Sequence, residues 1–183
     1  KPHIYKTYDN KTNSTSVFAG SELLIVEETN TTNEIYGVVI DIGTTTLVVS
    51  LCDISNGKTV AKVSSLNPQS IYAHDVLSRI SIASEEDGLA KLHKLLIDEL
   101  NHLIEILSKE NTISIDRIYE VVLSGNTCML HLVSKTNPSA LGHYPFTNVI
   151  EGLHRLPAKQ VGLRINPDGI VCLPPTISAF VGA

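Results

Sequence analysis

The chain has 183 residues, of which 43% are hydrophobic and 18% charged, a composition typical of a globular protein with a core rather than a disordered chain. Its net charge of -5 and pI of about 5.8, without a basic cluster, argue against a nucleic-acid or membrane-surface partner. No signal peptide or membrane-spanning run is recognisable, and Cys52, Cys128 and Cys172, which lack C-x-x-C spacing, predict free thiols in a reducing cytoplasm. The chain starts without Met and stops inside an apolar segment, so we expect it to be a piece of a longer protein.

The first 34 residues differ in composition from the rest. They are polar and rich in Asn, Thr and Ser, and they contain one apolar stretch, Glu22–Val26, that predicts an edge strand. Residues 1–34 are therefore interpreted as a linker or flanking module, and residues 35–183 as the globular domain.

Three strands are predicted next. Tyr36–Ile42 is almost continuously apolar and β-branched, as expected of a strand buried on both faces. Leu47–Cys52 has the same character, and Thr59–Ser65 alternates apolar and polar residues after the tight-turn signal Asn56–Gly57. Short connections between successive strands indicate an antiparallel meander.

Helices and single strands alternate in the remainder. Ile71–Ala83 predicts a short helix with Ile71, Val76, Leu77 and Ile80 facing inward. Leucines every three or four residues from Leu89 to Leu107 predict a long amphipathic helix. Asp75 and Arg79 lie four residues apart, which predicts an ion pair on the surface of the short helix or between lobes, in preference to a catalytic role.

A fourth strand at Ile118–Leu123 is followed by a helix through Val133, an irregular stretch at residues 135–168, a fifth strand at Gly169–Leu173 and a final helix starting near Thr176. The predicted fold is α/β and ribonuclease-H-like, with a mixed five-stranded sheet flanked by helices. This layout also forms each lobe of the actin-like ATPases. Topology alone leaves other mixed α/β folds open.

The segment Asp41–Thr46 joins the first two predicted strands of the meander. Gly43 would permit close backbone approach to a phosphate, the hydroxyls of Thr44, Thr45 and Thr46 would add donors, and Asp41 would hold Mg²⁺ directly or through water. The alternative is a polar turn that only closes a hairpin. An acidic residue inside a buried strand is costly unless it binds something, which favours the phosphate interpretation.

A second polar turn, Ser124–Thr127, follows the fourth strand. The Asn126 side chain has both a donor and an acceptor and precedes a predicted helix, so Gly125 and Asn126 are candidates for binding the phosphate and for orienting the γ-phosphate or a water molecule. The alternative is an ordinary helix cap.

Two segments resemble one ATPase superfamily. The sequence GVVIDIGTTT, residues 37–46, resembles the first phosphate motif of the superfamily that contains acetate and sugar kinases, heat-shock chaperones and actin. The turn that contains Asn126 is similar to an S-G-Q turn of the sugar kinases, which faces the γ-phosphate. Pro175–Ala183 resembles the helix that crosses beside the hinge between the two lobes of this superfamily.

A narrower resemblance covers residues 36–183. DIGTTT, LNPQSIYAHDVLSRI, SGNTCMLHL, LGHYPFT and LPPTISAFVGA, in that order, resemble the ATPase domain of reductive activators of corrinoid proteins. The resemblance implies a protein that uses ATP and Mg²⁺ to drive electron transfer from a [2Fe–2S] domain to an inactive corrinoid protein. The cluster cysteines and the second phosphate motif are absent from these 183 residues, so we expect weak or no ATP binding, and no activity, by this chain alone.

Two other functions stay open on the sequence. A small-molecule kinase of the same fold would use the same phosphate loop and would need an acceptor pocket and a base. A non-catalytic interaction lobe would leave the loop empty. Formation of a homodimer is also left open.

Overall fold

The computed structural model describes residues 3–176, which form two β-sheets and four α-helices. Three strands make a small antiparallel sheet, and six make a mixed sheet in the order β6-β5-β4-β7-β9-β8. The strands are β1 Ile4–Asp9, β2 Ser14–Ala19, β3 Glu22–Glu28, β4 Tyr36–Ile42, β5 Thr46–Asp53, β6 Lys58–Leu66, β7 Ile118–Gly125, β8 His154–Pro157 and β9 Ile170–Leu173. The helices are α1 Val76–Ala83, α2 Gly88–Glu110, α3 Thr127–Val133 and α4 Ala158–Val161.

The small sheet, β1 to β3, occupies the region for which the sequence predicted a single strand. The other two strands have no clear hydrophobic pattern in the sequence, because the sheet buries few apolar side chains. Among those that it buries are Ile4, Val17 and Ala19. These pack with Ile35 and Tyr119 of the larger unit.

A buried ionic cluster joins the two sheets. The Glu27 carboxylate accepts hydrogen bonds from Lys6 Nζ at 2.7 Å, Arg117 Nη1 at 2.5 Å and the Tyr119 hydroxyl at 2.5 Å. The side chains of Lys6 and Glu27 are only 1% and 6% exposed. Burial would raise the pKa of Glu27, but the hydrogen bonds from Lys6, Thr31 and Tyr119 hold it below the usual value. The small sheet is therefore held to β7 by charge as well as by apolar packing.

The main sheet contains the predicted meander, β4 to β6, in antiparallel register, and β4 also pairs in parallel with β7. The core lies between this sheet and the helices that cover one of its faces. Val38, Ile40 and Ile42 of β4 are buried there, and the predicted leucine stripe of α2 packs in the same cluster, with Leu92, Leu96 and Leu100 fully buried. The long amphipathic helix is confirmed.

The opposite face of β4 does not follow the sequence prediction. Within residues 3–176, Val39 is 43% exposed, its neighbour Val122 on β7 is 40% exposed, and Asp41 is exposed. Burial on both faces is thus wrong for this part of the strand, because side chains alternate between a covered and an open face. The predicted burial of Asp41 is wrong for the same reason.

The segment after β6 also differs from the prediction. A short 3-10 helix spans Pro68–Ile71 and α1 begins only at Val76, so the helical phase shifts. Ile71 and Leu77, predicted to face inward, are 74% and 61% exposed, whereas Arg79 is fully buried. The residues of α1 that face the core are therefore Val76, Arg79, Ile80 and Ala83, which have the spacing of one helix face.

The stretch predicted as irregular contains a 3-10 helix at Ser139–Gly142, β8 and α4. Strand β8 pairs antiparallel with β9 and adds a sixth strand to the five that were predicted. The predicted final helix lies outside the described residues. None of the described helices is long and apolar enough to cross a membrane.

Candidate phosphate-binding site

The two polar turns singled out in the sequence lie side by side. Strands β4 and β7 are parallel, with Asp41 beside Ser124 and Ile42 beside Gly125, so both strands end at the same edge of the sheet. The Asn126 side chain donates from Nδ2 to Thr44 Oγ1 at 3.2 Å. The structure therefore brings the hairpin at residues 43–46 and the turn at residues 124–127 into one site.

Three consecutive carbonyl groups of the hairpin point toward one segment of the chain. Asn67 Nδ2 donates to the Gly43 oxygen at 2.9 Å, Arg79 Nη2 to the Thr44 oxygen at 2.5 Å, and the Asn67 amide to the Thr45 oxygen at 2.8 Å. In a trans peptide the N–H points opposite to the C=O. The amides of the three threonines therefore point away from this segment.

Those amides are the candidate anion-binding element of the site. Within residues 3–176, neither the Thr44 nor the Thr45 amide donates a hydrogen bond. Successive backbone N–H groups with a common orientation make a concave site for an anion such as a phosphate. The side chains of Thr45 and Thr46 are exposed beside them, which leaves their hydroxyls accessible to a ligand.

Two glycines permit this close geometry. A Cβ atom on Gly43 would lie 2.5 Å from the Thr46 oxygen, which accepts the Gly43 amide at 3.0 Å and closes the hairpin. A Cβ atom on Gly125 would lie 2.9 Å from the Ile42 oxygen. Any side chain at Gly43 forces the hairpin backbone to move, and one at Gly125 separates the ends of β4 and β7.

Asp41 is the carboxylate of the site. It lies on the open face of β4 between Val48 of β5 and Ser124 of β7, and it is exposed. No described group of three or more His, Cys, Asp or Glu side chains could hold a metal ion. The exposed Asp41 carboxylate fits Mg²⁺, because this ion usually retains waters and binds one or two carboxylates together with substrate phosphates.

Asn126 is the N-cap of α3. Its Oδ1 accepts the Met129 amide at 3.0 Å while its Nδ2 contacts Thr44. The helix-cap alternative for this residue is thus confirmed. A contact between Asn126 and phosphate stays a prediction, and the geometry gives the residue a second task, which is to hold the Thr44 side chain.

Arg79 is the site residue that the sequence did not reveal. It is fully buried and donates from Nη2 to Thr44, from Nη1 to Gln69 Oε1 at 3.0 Å and from Nε to the Ala73 oxygen at 3.2 Å. The predicted ion pair with Asp75 is wrong, because the Asp75 carboxylate instead caps α1 through the Ser78 amide at 2.9 Å. The signal that could have identified Arg79 is its spacing with Val76, Ile80 and Ala83.

The Asp75 carboxylate acts on the charge of Arg79 only at a distance, where it raises the pKa of the guanidinium. Within residues 3–176, no carboxylate lies within ion-pair distance of its guanidinium. Burial lowers the pKa of Arg79 from its usual value, yet a guanidinium stays protonated in proteins. Burial raises the pKa of the nearby Cys128 thiol to about 12, so this thiol is neutral at pH 7.

A mixed sheet whose first hairpin carries an acid, a glycine and three threonines defines a lobe of the actin-like ATPase fold. Residues 36–183 match the family model described as "RACo middle region". The chain belongs to this family.

Two similar proteins agree with this membership. The chain is 37% identical over 150 residues to the "Corrinoid activation enzyme RamQ" of Eubacterium limosum, a match that covers 81% of the chain and 25% of RamQ. It superimposes with a TM-score of 0.88 and 32% identity on a "Reductive activator for corrinoid,iron-sulfur protein", over 92% of the chain and 28% of that protein. The chain thus spans about a quarter of the length of each.

Proposed function

We propose that the chain is the first phosphate-binding lobe of an ATP-dependent reductive activator of a corrinoid protein. The observation that carries the proposal is the orientation of the residue 43–46 hairpin, whose carbonyls are held by Asn67 and Arg79 and whose amides face outward. The names of the two similar proteins support the corrinoid partner.

In the proposed site, the amides and hydroxyls of Thr44, Thr45 and Thr46 bind the nucleotide phosphates, with Gly43 and Gly125 permitting the close approach. Asp41 binds Mg²⁺ through its carboxylate or through a water. Mg²⁺ supplies neutralisation of the charge that develops on the phosphates. Asn126 fixes the Thr44 hydroxyl and helps to orient the γ-phosphate or a water molecule.

The remaining parts of the activity belong to the rest of the polypeptide. A second lobe supplies the other half of the nucleotide site, and binding between two lobes favours the closed state. A [2Fe–2S] cluster outside this chain supplies the electron, and the protein works in the cytoplasm. This division agrees with the quarter of the relatives' length that the chain spans.

The test uses the full-length protein with its corrinoid protein. We expect the protein to hydrolyse Mg-ATP. We expect the Co(II) corrinoid to be reduced only when both ATP and a reductant are present, and the absorbance of the corrinoid measures this reduction. Asp41→Asn should lower both rates at least tenfold while leaving the thermal unfolding temperature within about 2 °C, because the Asp41 side chain is exposed.

Two results would contradict the proposal. One is ATP consumption that depends on a sugar or carboxylic acid acceptor and not on the corrinoid protein, which would identify a small-molecule kinase. The other is corrinoid binding without any nucleotide dependence, which would identify an interaction lobe.

A further inference from the structure

We infer that Arg79 is a positioning residue for the nucleotide phosphates: it holds the Thr44 carbonyl away from the ligand and supplies a buried positive charge behind the phosphate loop. The inference rests on the proposed function, because it requires phosphate at residues 43–46. Arg79 itself does not touch the ligand in this arrangement, since its guanidinium lies on the opposite side of the Thr44 peptide group from the outward amide.

The contacts of Arg79 make a rigid support. Its three guanidinium nitrogens reach Ala73, Gln69 and Thr44, and Nη1 also lies 3.0 Å from Met129 Sδ of α3. Gln69 in turn donates from Nε2 to the Leu92 oxygen of α2 at 3.0 Å. The orientation of one peptide of the loop is thereby tied to α1, which carries Arg79, and to α2 and α3.

Asn67 completes the support on the same side of the hairpin. It holds the carbonyls of Gly43 and Thr45, and Arg79 holds the carbonyl between them. Without Arg79, the Thr44 carbonyl can rotate toward the ligand, where its partial negative charge would oppose phosphate. The Thr45 amide would then be lost as a donor.

The charge of Arg79 has a further effect. A buried cation without a carboxylate partner is costly, and a fold that retains one gains when an anion binds nearby. The hairpin offers an anion site on the far side of one peptide group. Bound phosphate would therefore be stabilised by Arg79 through space, in addition to the amides that it orients.

The experiment measures Mg-ATP, Mg-ADP and adenosine binding by calorimetry in the full-length protein, for the wild type, Arg79→Met and Arg79→Lys. We expect Arg79→Met to weaken ATP and ADP binding about ten- to a hundredfold, as for loss of hydrogen bonds to a charged group. Adenosine binding should change less than twofold because adenosine has no phosphate. Arg79→Lys keeps the charge but cannot reach all the acceptors, so its losses should be intermediate.

Arg164→Met is the matched control, because Arg164 has a 66% exposed side chain that lies 3.9 Å from Glu105, and it should bind all three ligands as the wild type does. An equal loss for adenosine and ATP, or unchanged ATP binding by folded Arg79→Met, would overturn the inference. If Arg79→Met does not fold, Arg79→Lys decides by the same comparison, and failure of both to fold would assign Arg79 a structural role only. Absence of ATP binding by the wild type would instead contradict the proposed function.

Discussion

Gly43 has no room for a side chain, and this has consequences at the residue scale. A Cβ atom would meet the Thr46 oxygen at 2.5 Å, so Gly43→Ala must open the hairpin whose amides form the proposed phosphate site. We expect a loss of about 1–3 kcal/mol in the free energy of unfolding and a drop of at least tenfold in Mg-ATP affinity of the full-length protein. Chemical denaturation and calorimetry measure the two effects.

Gly57→Ala serves as the control for that substitution. Gly57 lies in the turn between β5 and β6, with a φ of 70° and open space around the added methyl group. Ala at such a φ costs about 1 kcal/mol, but the turn is far from the phosphate loop, so nucleotide affinity should not change. Equal nucleotide affinity of Gly43→Ala and Gly57→Ala would contradict the role given to Gly43.

The sequence predicted the residues of the site unevenly. Asp41, Gly43 and the three threonines form a local motif, so they could be recognised without the fold. Asn67 and Arg79 could not, because their role is to support carbonyls that lie 24 and 35 residues earlier in the chain. A spacing of four between Asp75 and Arg79 suggested a surface pair, whereas burial of the guanidinium follows from how α1 packs.

At the element scale, the small sheet β1 to β3 depends on the Glu27 cluster. Removing its charge leaves Lys6 and Arg117 with a buried neutral partner, so Glu27→Gln should destabilise the protein by about 3 kcal/mol. Glu28→Gln is the matched control, since Glu28 is exposed on the same strand and should change stability by less than about 0.5 kcal/mol. Urea denaturation at pH 7 compares the variants.

The same cluster predicts a dependence on pH. The pKa of Glu27 in the folded protein lies below its ordinary value of 4.5, so the ionised carboxylate stabilises the fold above pH 4.5. This stabilisation is lost as the pH falls through the lower, folded-state pKa. The difference in unfolding free energy between the wild type and Glu27→Gln should therefore shrink as the pH is lowered from 7 to 3. A difference that stays constant over this range would contradict the ionic role of Glu27.

The elements that the sequence predicted well are those with a strong local period. Helix α2 and the meander β4 to β6 bury long apolar patterns, and these patterns indicate the correct element type. Strands β1, β2 and β8 present few apolar residues. Strands β1 and β2 pair with their neighbours in sequence, but their apolar side chains are buried against the distant Tyr119, and β8 is placed by its pairing with β9. Propensity alone does not specify such strands.

For the whole molecule, the described residues supply one side of a nucleotide site. We expect the isolated chain of residues 1–183 to bind Mg-ATP with a dissociation constant weaker than about 1 mM, because the phosphate contacts act without the second lobe and without closure of a cleft. Calorimetry on this chain and on the full-length protein makes the comparison. Micromolar affinity for the isolated chain would contradict a site that is shared between lobes.

The ionic cluster and the phosphate loop lie at opposite ends of the same two strands. Tyr119 is at the start of β7 and Gly125 at its end, while β4 runs parallel to it from Tyr36 to Ile42. Six residue steps of extended chain span about 20 Å. A region attached through the small sheet is therefore kept at a fixed distance from the loop by a stiff spacer. Direct contact between such a region and the phosphate loop would have to bridge this length of sheet.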